Sequence, residues 1–441
     1  MRVALIHPSI PSKYLKHNFF IENLKLMPLG LLYLSAALEQ AGFETVLFDE
    51  MYYGGNAEGF AAEIARHQPD VIGISNNTLT YENSKKLAGR LKGIMGEEPL
   101  VVFGGHHTNY LYEDVLKDGI CDCVIVGEAE HVFTEVVKAF QSEKKSKAFF
   151  SKLGDLTGVM VWDSERQAVG GNYHFNLIEN LDELPFPDRR QIDTSFYNYH
   201  SVIFSRGCNG RCIFCSCSTD YRRRSIENIL DELNELKSNR LVSGALSDDV
   251  YFLDNNFLAD PVFTDKLLGR FDAEGLRLEW GCECRVDQID PVLAKRMAGS
   301  GCKKVLFGIE SIHQPIQRVI RKRLPQRDQI IDISKTCIDC GIEVHTSFVI
   351  GLPGESRESL IEAFEFMKEL RDIGAKPKAR FLIPYPGTPV YRDPEKYNIK
   401  ILTRLWDNYG SYDCIVETEH LSKGEIEALY FEYCLELMEV I

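Results

Sequence analysis

The chain has 441 residues, of which 44% are hydrophobic and 26% are charged, so it suits two or three globular domains and excludes wholesale disorder. Its 65 acidic residues outnumber its 50 basic residues, and the net charge of −15 argues against nucleic acid or a membrane surface as a partner. The 13 cysteines, an odd number, do not suit a secreted disulfide scaffold, so we expect a cytoplasmic protein with a metal or cluster site.

Strands and helices alternate along the first 140 residues. We predict strands at 3–6, 43–48, 71–75, 100–103 and 123–126, and helices at 29–40, 57–66, 82–95 and 130–140. This alternation predicts a doubly wound parallel sheet, whose ligands bind beyond the carboxyl ends of the strands. The sequence has no Gly-x-Gly-x-x-Gly after the first strand and no Walker loop, so neither a dinucleotide nor a nucleoside triphosphate is supported.

Residues 141–200 read as a connector with a hairpin near 158–162, and a second array of strands and helices occupies 201–391. Six strand–helix units in that array predict a partial or full barrel of parallel strands, with catalytic residues at the carboxyl ends of the strands. The remaining residues, 392–441, form a short tail. Ser422 and Glu425 have the spacing of a capping box at the start of a final helix over 422–438.

The strongest chemical signal is Cys208-Asn-Gly-Arg-Cys212-Ile-Phe-Cys215, which directly follows the first strand of the second array. Three thiolates on one short loop can hold an iron–sulfur cluster and leave one of its four irons open for a substrate or cofactor. Zinc and unliganded thiols are the alternatives, and zinc would need a fourth close ligand. Cys217 could supply a fourth ligand, although its spacing from Cys215 is tight. The pattern favours the cluster.

This cysteine pattern resembles the signature of radical S-adenosylmethionine enzymes, and supporting motifs follow in that family's order. They are Phe252-Leu-Asp254-Asn-Asn-Phe257, Arg285-Val-Asp287, Gly301 to Ser311, Phe348 to Glu355, and Pro384-Tyr-Pro-Gly-Thr-Pro389. The resemblance implies a partial (β/α)6, TIM-like barrel. It also implies that a [4Fe–4S] cluster on Cys208, Cys212 and Cys215 reduces bound S-adenosylmethionine to a 5′-deoxyadenosyl radical.

The first array resembles the Rossmann-like, cobalamin-binding domain that precedes many of these barrels. The resemblance rests on Pro28 to Ala37, on Gly104-Gly-His-His-Thr108, on Val126-Gly-Glu-Ala-Glu130, and on Leu184-Pro-Phe-Pro-Asp188 in the connector. The Asp-x-His-x-x-Gly motif is absent, which implies cobalamin bound without a protein histidine on cobalt. Some relatives of this kind bind no cobalamin, so occupancy is left open.

The resemblance also assigns expected roles to individual residues. The S-adenosylmethionine contacts are expected at Phe214, Arg285, Glu310 and Gly351. The cobalamin contacts are expected at Ser75, Thr78, Gly104, Gly105, Thr108, Gly127 and Glu128. The resemblance further implies a reducing partner such as flavodoxin or ferredoxin, and a small-molecule substrate.

Other reactive side chains can be interpreted as structural residues as well as functional ones. Cys282, Cys284 and His345 are weak candidates for facing the substrate, and each could equally pack in the core. We expect core packing for Cys121 and Cys123, and for Cys337 and Cys340. His106 and His107 read as cobalamin-loop residues or exposed imidazoles. The basic runs 222–224 and 321–323 read as solvated faces or partners of local carboxylates.

Three functions remain open on the sequence. The first is cobalamin-dependent methylation of an unactivated carbon in a small molecule. The second is dehydration, cyclisation or ring contraction by the same barrel, with or without cobalamin. The third is a non-catalytic iron–sulfur protein for sensing or electron transfer, which the intact barrel motifs disfavour. A transfer-RNA methylthiotransferase is also disfavoured, because the first domain has no second cysteine triad and the net charge is wrong for RNA.

Overall fold

The computed structural model describes residues 1–15, 25–54, 56–217, 219–243 and 249–438. The chain divides into two compact units, Met1–Asn198 and Tyr199–Ile441. Each unit has its own sheet, so each is described by itself. Across the described part of the chain, no helix has both the length and the apolar character needed to span a bilayer.

The first unit is a seven-stranded sheet with helices along the chain between its parallel strands. The strands are β1 (Arg2–His7), β2 (Glu44–Asp49), β3 (Val71–Ser75), β4 (Leu100–Gly104), β5 (Cys123–Ile125), β6 (Val159–Asp163) and β7 (Ala168–Gly171). The helices are α1 (Ser12–Leu15), α2 (Leu29–Gln40), α3 (Ala57–Arg66), α4 (Tyr81–Met95), α5 (His106–Lys117), α6 (Glu130–Glu143) and α7 (Lys147–Asp155).

The strand order is β2-β1-β3-β4-β5-β6-β7, and the first five strands pair in parallel. The order reverses at β1, which lies between β2 and β3. In doubly wound sheets such a reversal opens a crevice beyond the carboxyl ends of the strands, where ligands bind. The hairpin expected in the connector forms, and its strands β6 and β7 extend the sheet by antiparallel pairing.

Three helices of the first unit escaped prediction: the four-residue α1 and the longer α5 and α7. Helix α5 follows Gly104-Gly105, which read as a turn, and its polar sequence is interrupted by a kink at Leu111. Helix α7 lies next to a charged run, and its start is marked by Ser146, whose Oγ accepts a hydrogen bond from the N–H of Phe149. The glycine pair before α5 and the charged run beside α7 are typical of loops, and they hid the start of each helix.

The second unit is a six-stranded parallel sheet in the order β15-β14-β13-β12-β11-β8, the arrangement expected of a partial barrel. Its strands are β8 (His200–Val202), β11 (Asp249–Phe252), β12 (Glu279–Cys284), β13 (Cys302–Glu310), β14 (Glu343–Ile350) and β15 (Lys376–Phe381). Two short antiparallel ribbons accompany it, β9 (Ser205–Arg206) with β10 (Arg222–Arg223), and β16 (Lys400–Ile401) with β17 (Val416–Glu417).

The helices of the second unit are α8 (Ile226–Ser243), α9 (Pro261–Ala273), α10 (Pro291–Gly299), α11 (Gln314–Val319), α12 (Arg327–Asp339), α13 (Arg357–Asp372), α14 (Pro389–Arg392) and α15 (Lys423–Met438). The capping box at the start of α15 is confirmed, because Ser422 N–H donates to Glu425 Oε2 at 2.9 Å and Glu425 N–H donates to Ser422 Oγ at 3.4 Å.

The two faces of the second sheet differ in chemistry. Alternate residues such as Val305, Phe307, Val344 and Phe348 are buried and share one hydrophobic core with residues of the helices. The residues between them point to the opposite face, because successive side chains of a strand alternate. We call this opposite side the inner face, and its members are Tyr251, Glu283, Lys304, Leu306, Gly308, Glu310, Glu343, His345, Ser347, Val349, Lys376, Lys378 and Arg380.

Candidate active site

The cysteine loop begins directly after β9, at the carboxyl edge of the second sheet. The β9–β10 ribbon closes the base of the loop, and the N–H of Cys208 donates to the carbonyl of Thr219 at 3.1 Å. Gly207 has φ of 81°, and a Cβ there would overlap the carbonyl oxygen of Asp220. Glycine is therefore required where the loop leaves the ribbon.

The thiols of the loop lie around its backbone rather than around one point. A Cβ placed on Gly210 would lie 3.4 Å from the Cys208 sulfur and 3.9 Å from the Cys212 sulfur. Gly210 N–H donates to Cys208 Sγ at 3.3 Å, and Cys217 N–H donates to Cys215 Sγ at 3.4 Å. Within the described residues, no three His, Cys, Asp or Glu side chains converge as ligands of a single metal ion do.

This donor set fits an iron–sulfur cluster better than a single ion. A cluster binds each thiolate through a different iron, so its ligands surround a volume rather than a point. Backbone N–H groups aimed at sulfur stabilise the thiolate form that the metal needs. Burial raises the pKa of the Cys212 thiol to about 11, and the ammonium of Lys322 opposes that rise. Cys217 is partly buried as well, and burial raises its pKa to about 12.

A buried carboxyl anchors the start of the loop. Asp254 follows β11, and its Oδ1 accepts hydrogen bonds from Ser205 N–H at 2.6 Å and Phe204 N–H at 3.2 Å. Asn255 Nδ2 donates to the carbonyl of Gly207 at 3.4 Å. Burial raises the pKa of Asp254 to about 7, against the lowering effect of these bonds. The motif that follows β11 therefore positions the cysteine loop.

Glu310 ends β13 as one half of a buried ion pair. Its Oε1 lies 2.8 Å from Lys322 Nζ, and the two side chains are 10% and 9% exposed. Ser347 on β14 donates to Glu310 Oε2 at 3.4 Å. Glu310 has φ of 60° and sits at an irregularity in the β13–β14 pairing. A non-glycine residue in this left-handed region is strained, and such strain concentrates at functional sites.

Lys322 was not singled out from the sequence, where its basic run read as a solvated face or as partners of local carboxylates. Burial cannot be seen in a run of three cations, so no local signal separated Lys322 from its neighbours. The other basic run behaves as expected of partners of carboxylates. Arg224 pairs with Glu232, and Arg223 Nε lies 3.4 Å from Asp260.

Arg285 follows β12 and is held by the protein on one side of its guanidinium. Its Nε and Nη2 donate to the two carboxylate oxygens of Asp287 at 2.9 and 2.8 Å, and Nη2 also donates to the carbonyl of Arg323 at 2.7 Å. Nη1 has no hydrogen-bond partner among the described residues, which leaves it available to an anion. Burial lowers the pKa of Arg285, but Asp287 outweighs it and raises the pKa, and the Cys212 and Cys208 thiols add smaller contributions.

The conformation and neighbours of Gly351 explain why glycine occupies this turn. Its φ is 86°, and a Cβ there would stand 3.2 Å from Val416 Cγ2. Its N–H donates to Glu355 Oε2 at 2.6 Å, and burial raises the pKa of Glu355 to about 8. Phe214 packs against the neighbouring hydrophobic cluster around Val416. Contact of Gly351 and Phe214 with an adenine stays a prediction.

The structure does not bring Cys282 and Cys284 to the inner face. Both are buried in the core between sheet and helices, where Cys282 interacts with Cys284 and Cys302. Glu283 is the inner-face residue between them. His345 does lie on the inner face, 6% exposed, and its Nε2 contacts Glu343 Oε1. Burial lowers the pKa of His345.

Of the remaining cysteine pairs, Cys121 is only partly buried, and the other members lie in or against a core. Cys123 and Cys337 are fully buried, and Cys340 packs against the core of the second unit. His107 is neither exposed nor part of an open loop. It lies in the first turn of α5, buried, with its ring stacked 4.1 Å from that of Tyr81, and burial lowers its pKa to about 3. His106 is exposed.

In the first unit, loops after β3, β4 and β5 meet at the carboxyl edge of the sheet. Ser75 pairs with Gly104, and the loop after Ser75 is held by Asn76, whose N–H donates to the Gly104 carbonyl at 2.9 Å. Thr108 Oγ1 donates to Asn76 Oδ1 at 3.2 Å. A Cβ on Gly105, where φ is 100°, would overlap the backbone of Asn76. Four of the expected cobalamin contacts are therefore neighbours here.

Asparagines tie these loops together, and the sequence analysis did not single them out. Asn109 Oδ1 accepts the N–H of Gly127 at 2.8 Å. Asn76 Nδ2 is buried with no hydrogen-bond partner among the described residues. A buried amide donor without a partner is the kind of group that a bound polar ligand satisfies, so the edge fits a ligand rich in amides, as cobalamin is. Thr78, in the same loop as Asn76, is buried.

Gly127 and Glu128 have partners within the protein. A Cβ on Gly127 would overlap the backbone of Asn176, so a crossing chain segment accounts for this glycine. Glu128 Oε2 accepts the N–H of Ile178 at 2.7 Å, and its N–H donates to the carbonyl of Asn176 at 2.9 Å. Both residues position the segment from Asn176 to Ile178, and their contact with cobalamin stays a prediction.

Family models match both units. The B12 binding domain model matches residues 23–137, and the radical SAM superfamily model matches residues 202–367. An uncharacterized methyltransferase, PH0819 of Pyrococcus horikoshii, is 30% identical over 91% of this chain and 85% of its own length. Cytidylyl-2-hydroxyethylphosphonate methyltransferase of Streptomyces wedmorensis is 25% identical over 78% of this chain and 73% of its own length.

Among solved structures, the chain is similar to a radical S-adenosylmethionine methyltransferase, TsrM of Kitasatospora setae, solved with tryptophan and a SAM analogue. The TM-score is 0.74 at 15% identity, and the match covers all of this chain and 89% of the other. The matched models are thus a B12 binding domain in the first unit and a radical SAM domain in the second. Another TsrM structure, 16% identical to this chain, holds cobalamin and a [4Fe–4S] cluster. The chain belongs to the radical SAM superfamily, among the enzymes that carry a B12 binding domain ahead of the radical SAM domain.

Proposed function

We propose that this enzyme methylates an unactivated carbon of a small molecule, using a 5′-deoxyadenosyl radical and methylcobalamin. The observation that carries the proposal is the pairing of two carboxyl-edge sites in one chain. One is the cysteine loop beside Arg285 and Glu310, and the other is the asparagine-linked edge of a B12 binding domain. Relatives named as methyltransferases over most of this chain support methyl transfer rather than another radical outcome.

In the second unit, Cys208, Cys212 and Cys215 would hold the cluster and leave one iron open. When bound, the cluster and S-adenosylmethionine supply the radical, and cobalamin supplies the methyl group. Arg285 would bind the carboxylate of S-adenosylmethionine through Nη1, because Asp287 already fixes the other side of its guanidinium. Glu310 would accept hydrogen bonds from its amino or ribose groups. Lys322 holds the Glu310 carboxylate in place through their buried ion pair.

In the first unit, Asn76 and Thr108 would contact cobalamin from the edge formed by the loops after β3 and β4. The two side chains already bond to each other, so their orientation is set before the ligand binds. Gly105 lets the two loops approach closely at that point. Among the described residues of this edge, the buried His107 is stacked on Tyr81, so we do not propose it as a ligand of cobalt.

A small-molecule substrate agrees with relatives named for a nucleotide phosphonate and with a solved structure that holds tryptophan. The reaction needs single electrons, so we expect a reducing partner of the flavodoxin or ferredoxin class. We do not expect nucleic acid as a partner, because the net charge of −15 opposes phosphate backbones.

Anaerobic reconstitution tests this function. Enzyme with a rebuilt cluster is reduced in the presence of S-adenosylmethionine, with and without methylcobalamin, and the products are analysed by mass spectrometry. Methyl transfer predicts S-adenosylhomocysteine together with 5′-deoxyadenosine, and the first of these only with cobalamin. Formation of 5′-deoxyadenosine alone, at the same rate without cobalamin, would contradict methyl transfer. Cys212→Ser should form neither product, which controls for contaminating activity.

A further inference from the structure

The inner face of the second sheet carries an unexpected group of cations. Lys304 on β13, and Lys378 and Arg380 on β15, alternate with core residues of the same strands, so all three point to the inner face. None of them has a carboxylate within salt-bridge distance among the described residues. Three cations without a carboxylate partner on one face contrast with the net charge of −15 of the chain.

Two of the three cations, Lys304 and Arg380, are held by uncharged partners. Lys304 Nζ donates to the hydroxyl of Tyr199 at 3.3 Å. The guanidinium carbon of Arg380 lies 4.1 Å from the ring centre of Tyr412, and Nη1 donates to the carbonyl of Ala379 at 3.1 Å. These contacts orient the side chains and leave their charges uncompensated. The side chain of Lys378 is half-buried, and it has no hydrogen bond or ion pair in the part of the chain that the structure describes.

The cations also act on one another. Burial lowers the pKa of Lys378, and the positive charges of Arg380 and Lys304 lower it further. Glu343 on the neighbouring strand raises this pKa again, but its carboxylate is paired with Lys376, and Glu310 is paired with Lys322. Among the described residues, Glu283 has no cationic partner, but it lies three strands away from β15. The like charges gathered on this face would therefore attract an anion.

The strand register shows how far the cations lie from Glu310. Lys378 is in register with Ser347, and Ser347 is in register with Gly308 and bonds to Glu310. Lys378 therefore lies at the height of the Glu310 site and two strand spacings from Gly308, about 10 Å across the sheet. A molecule that contacts Lys378 and Arg380 would lie beside the site proposed for S-adenosylmethionine rather than inside it.

We propose that the substrate is an organic anion, with a phosphate, phosphonate or carboxylate group bound by Lys378 and Arg380 on the inner face. This inference rests on the proposed function and names its substrate class. Arg380 offers a planar pair of donors for an oxyanion, and Lys378 offers a point charge beside it. Lys304, lower on the same face, would attract the anion into the barrel.

Anion binding is tested on the unreduced holoenzyme, with cluster, cobalamin and saturating S-adenosylmethionine present, so that no turnover occurs and the cofactor site is filled. Pyrophosphate and malonate are titrated by anaerobic calorimetry into wild type, Lys378→Gln, Arg380→Gln and Lys378→Arg. Lys335→Gln is the matched control, because it removes one charge from an exposed position on α12. Cluster absorbance per chain checks that each variant is folded and loaded.

The proposal predicts saturable binding of at least one anion by wild type. Each glutamine variant should weaken it about tenfold or more, as expected when a charge-assisted hydrogen bond is lost. Lys378→Arg and Lys335→Gln should stay within about twofold of wild type. Tighter binding of pyrophosphate indicates a phosphoryl group in the substrate, and tighter binding of malonate indicates a carboxylate.

Two results would overturn the proposal. One is binding that is not saturable for either anion, and the other is binding that the glutamine variants do not weaken. Displacement of S-adenosylmethionine by the anions would also count against it, because it would place them in the cofactor site. None of these outcomes depends on methyl transfer, so failure of the anion site and failure of the proposed function are separate results.

Discussion

Removal of the Lys322 charge should expose how much the second unit depends on one buried ion pair. The Lys322→Met substitution keeps an unbranched apolar stem and leaves Glu310 without its cation. The two charges are 2.8 Å apart and about 90% buried. At an effective dielectric constant of about 20, opposite charges at that distance attract by about 6 kcal/mol. Desolvation offsets part of this, so we expect a loss of about 3–5 kcal/mol in the free energy of unfolding.

The assay is anaerobic urea unfolding of the cluster-free chain, followed by tryptophan fluorescence in a Trp162→Phe background. The other two of the three tryptophans, Trp280 and Trp406, lie in the second unit, so the signal reports that unit. Lys400→Met is the control, because its pair with Glu417 has a similar distance of 2.9 Å but is exposed. We expect the control to leave the unfolding midpoint nearly unchanged.

A second substitution tests the reason for the loss. Glu310→Gln in the Lys322→Met background removes the uncompensated charge, so the double variant should be more stable than Lys322→Met alone. A loss of less than about 1 kcal/mol in Lys322→Met, or a double variant that is no more stable, would refute the reasoning.

Three further predictions concern other sites. Glu355→Gln should become more stable relative to wild type as pH rises from about 4.5 to about 8. Burial raises the pKa of Glu355 to about 8, so over this range the native state keeps a proton that the unfolded chain loses, and wild type is destabilised. Free energies of unfolding that do not diverge between the two proteins over this range would contradict the raised pKa. Gly105→Ala should destabilise the first unit by about 1–3 kcal/mol and reduce cobalamin retention on gel filtration. In Gly104→Ala, the new Cβ would lie 3.8 Å from the carbonyl oxygen of Ile125, so stability and cobalamin retention should change little. Equal effects of the two would refute the close approach of the loops. Cys212→Ser should lose the cluster and Cys217→Ser should keep it, as measured by iron and sulfide content per chain; iron loss in both would make Cys217 a ligand.

The sequence predicted the order of strands and helices well where Pro and Gly mark the boundaries. Pro28 and Gly42 bracket α2, whose bounds are confirmed. The sequence did not reveal which face a strand residue occupies when both faces are covered. Cys282 and Cys284 therefore read as candidates for the substrate side, while the core-facing parity of β12 puts them among the helices.

Burial and long-range partners were equally hidden. Nothing in the sequence separated Lys322 from the two cations beside it, and only the fold brings it to Glu310, twelve residues earlier on another element. Asn76 and Asn109 carry no motif, because their importance comes from bonds to residues in two other loops. The chemistry of the cysteine loop was visible because all its ligand candidates are close in the chain. The residues that support the loop could not be identified from the sequence.

The most direct test of methyl transfer follows the methyl group itself. Holoenzyme whose cobalamin has been stripped of its methyl group is reduced anaerobically with trideuteromethyl-labelled S-adenosylmethionine, and the bound corrinoid is then analysed by mass spectrometry. The account predicts a trideuteromethyl group on the cobalamin of wild type, with 5′-deoxyadenosine formed in the same reaction. Unlabelled cobalamin beside undiminished 5′-deoxyadenosine would contradict it.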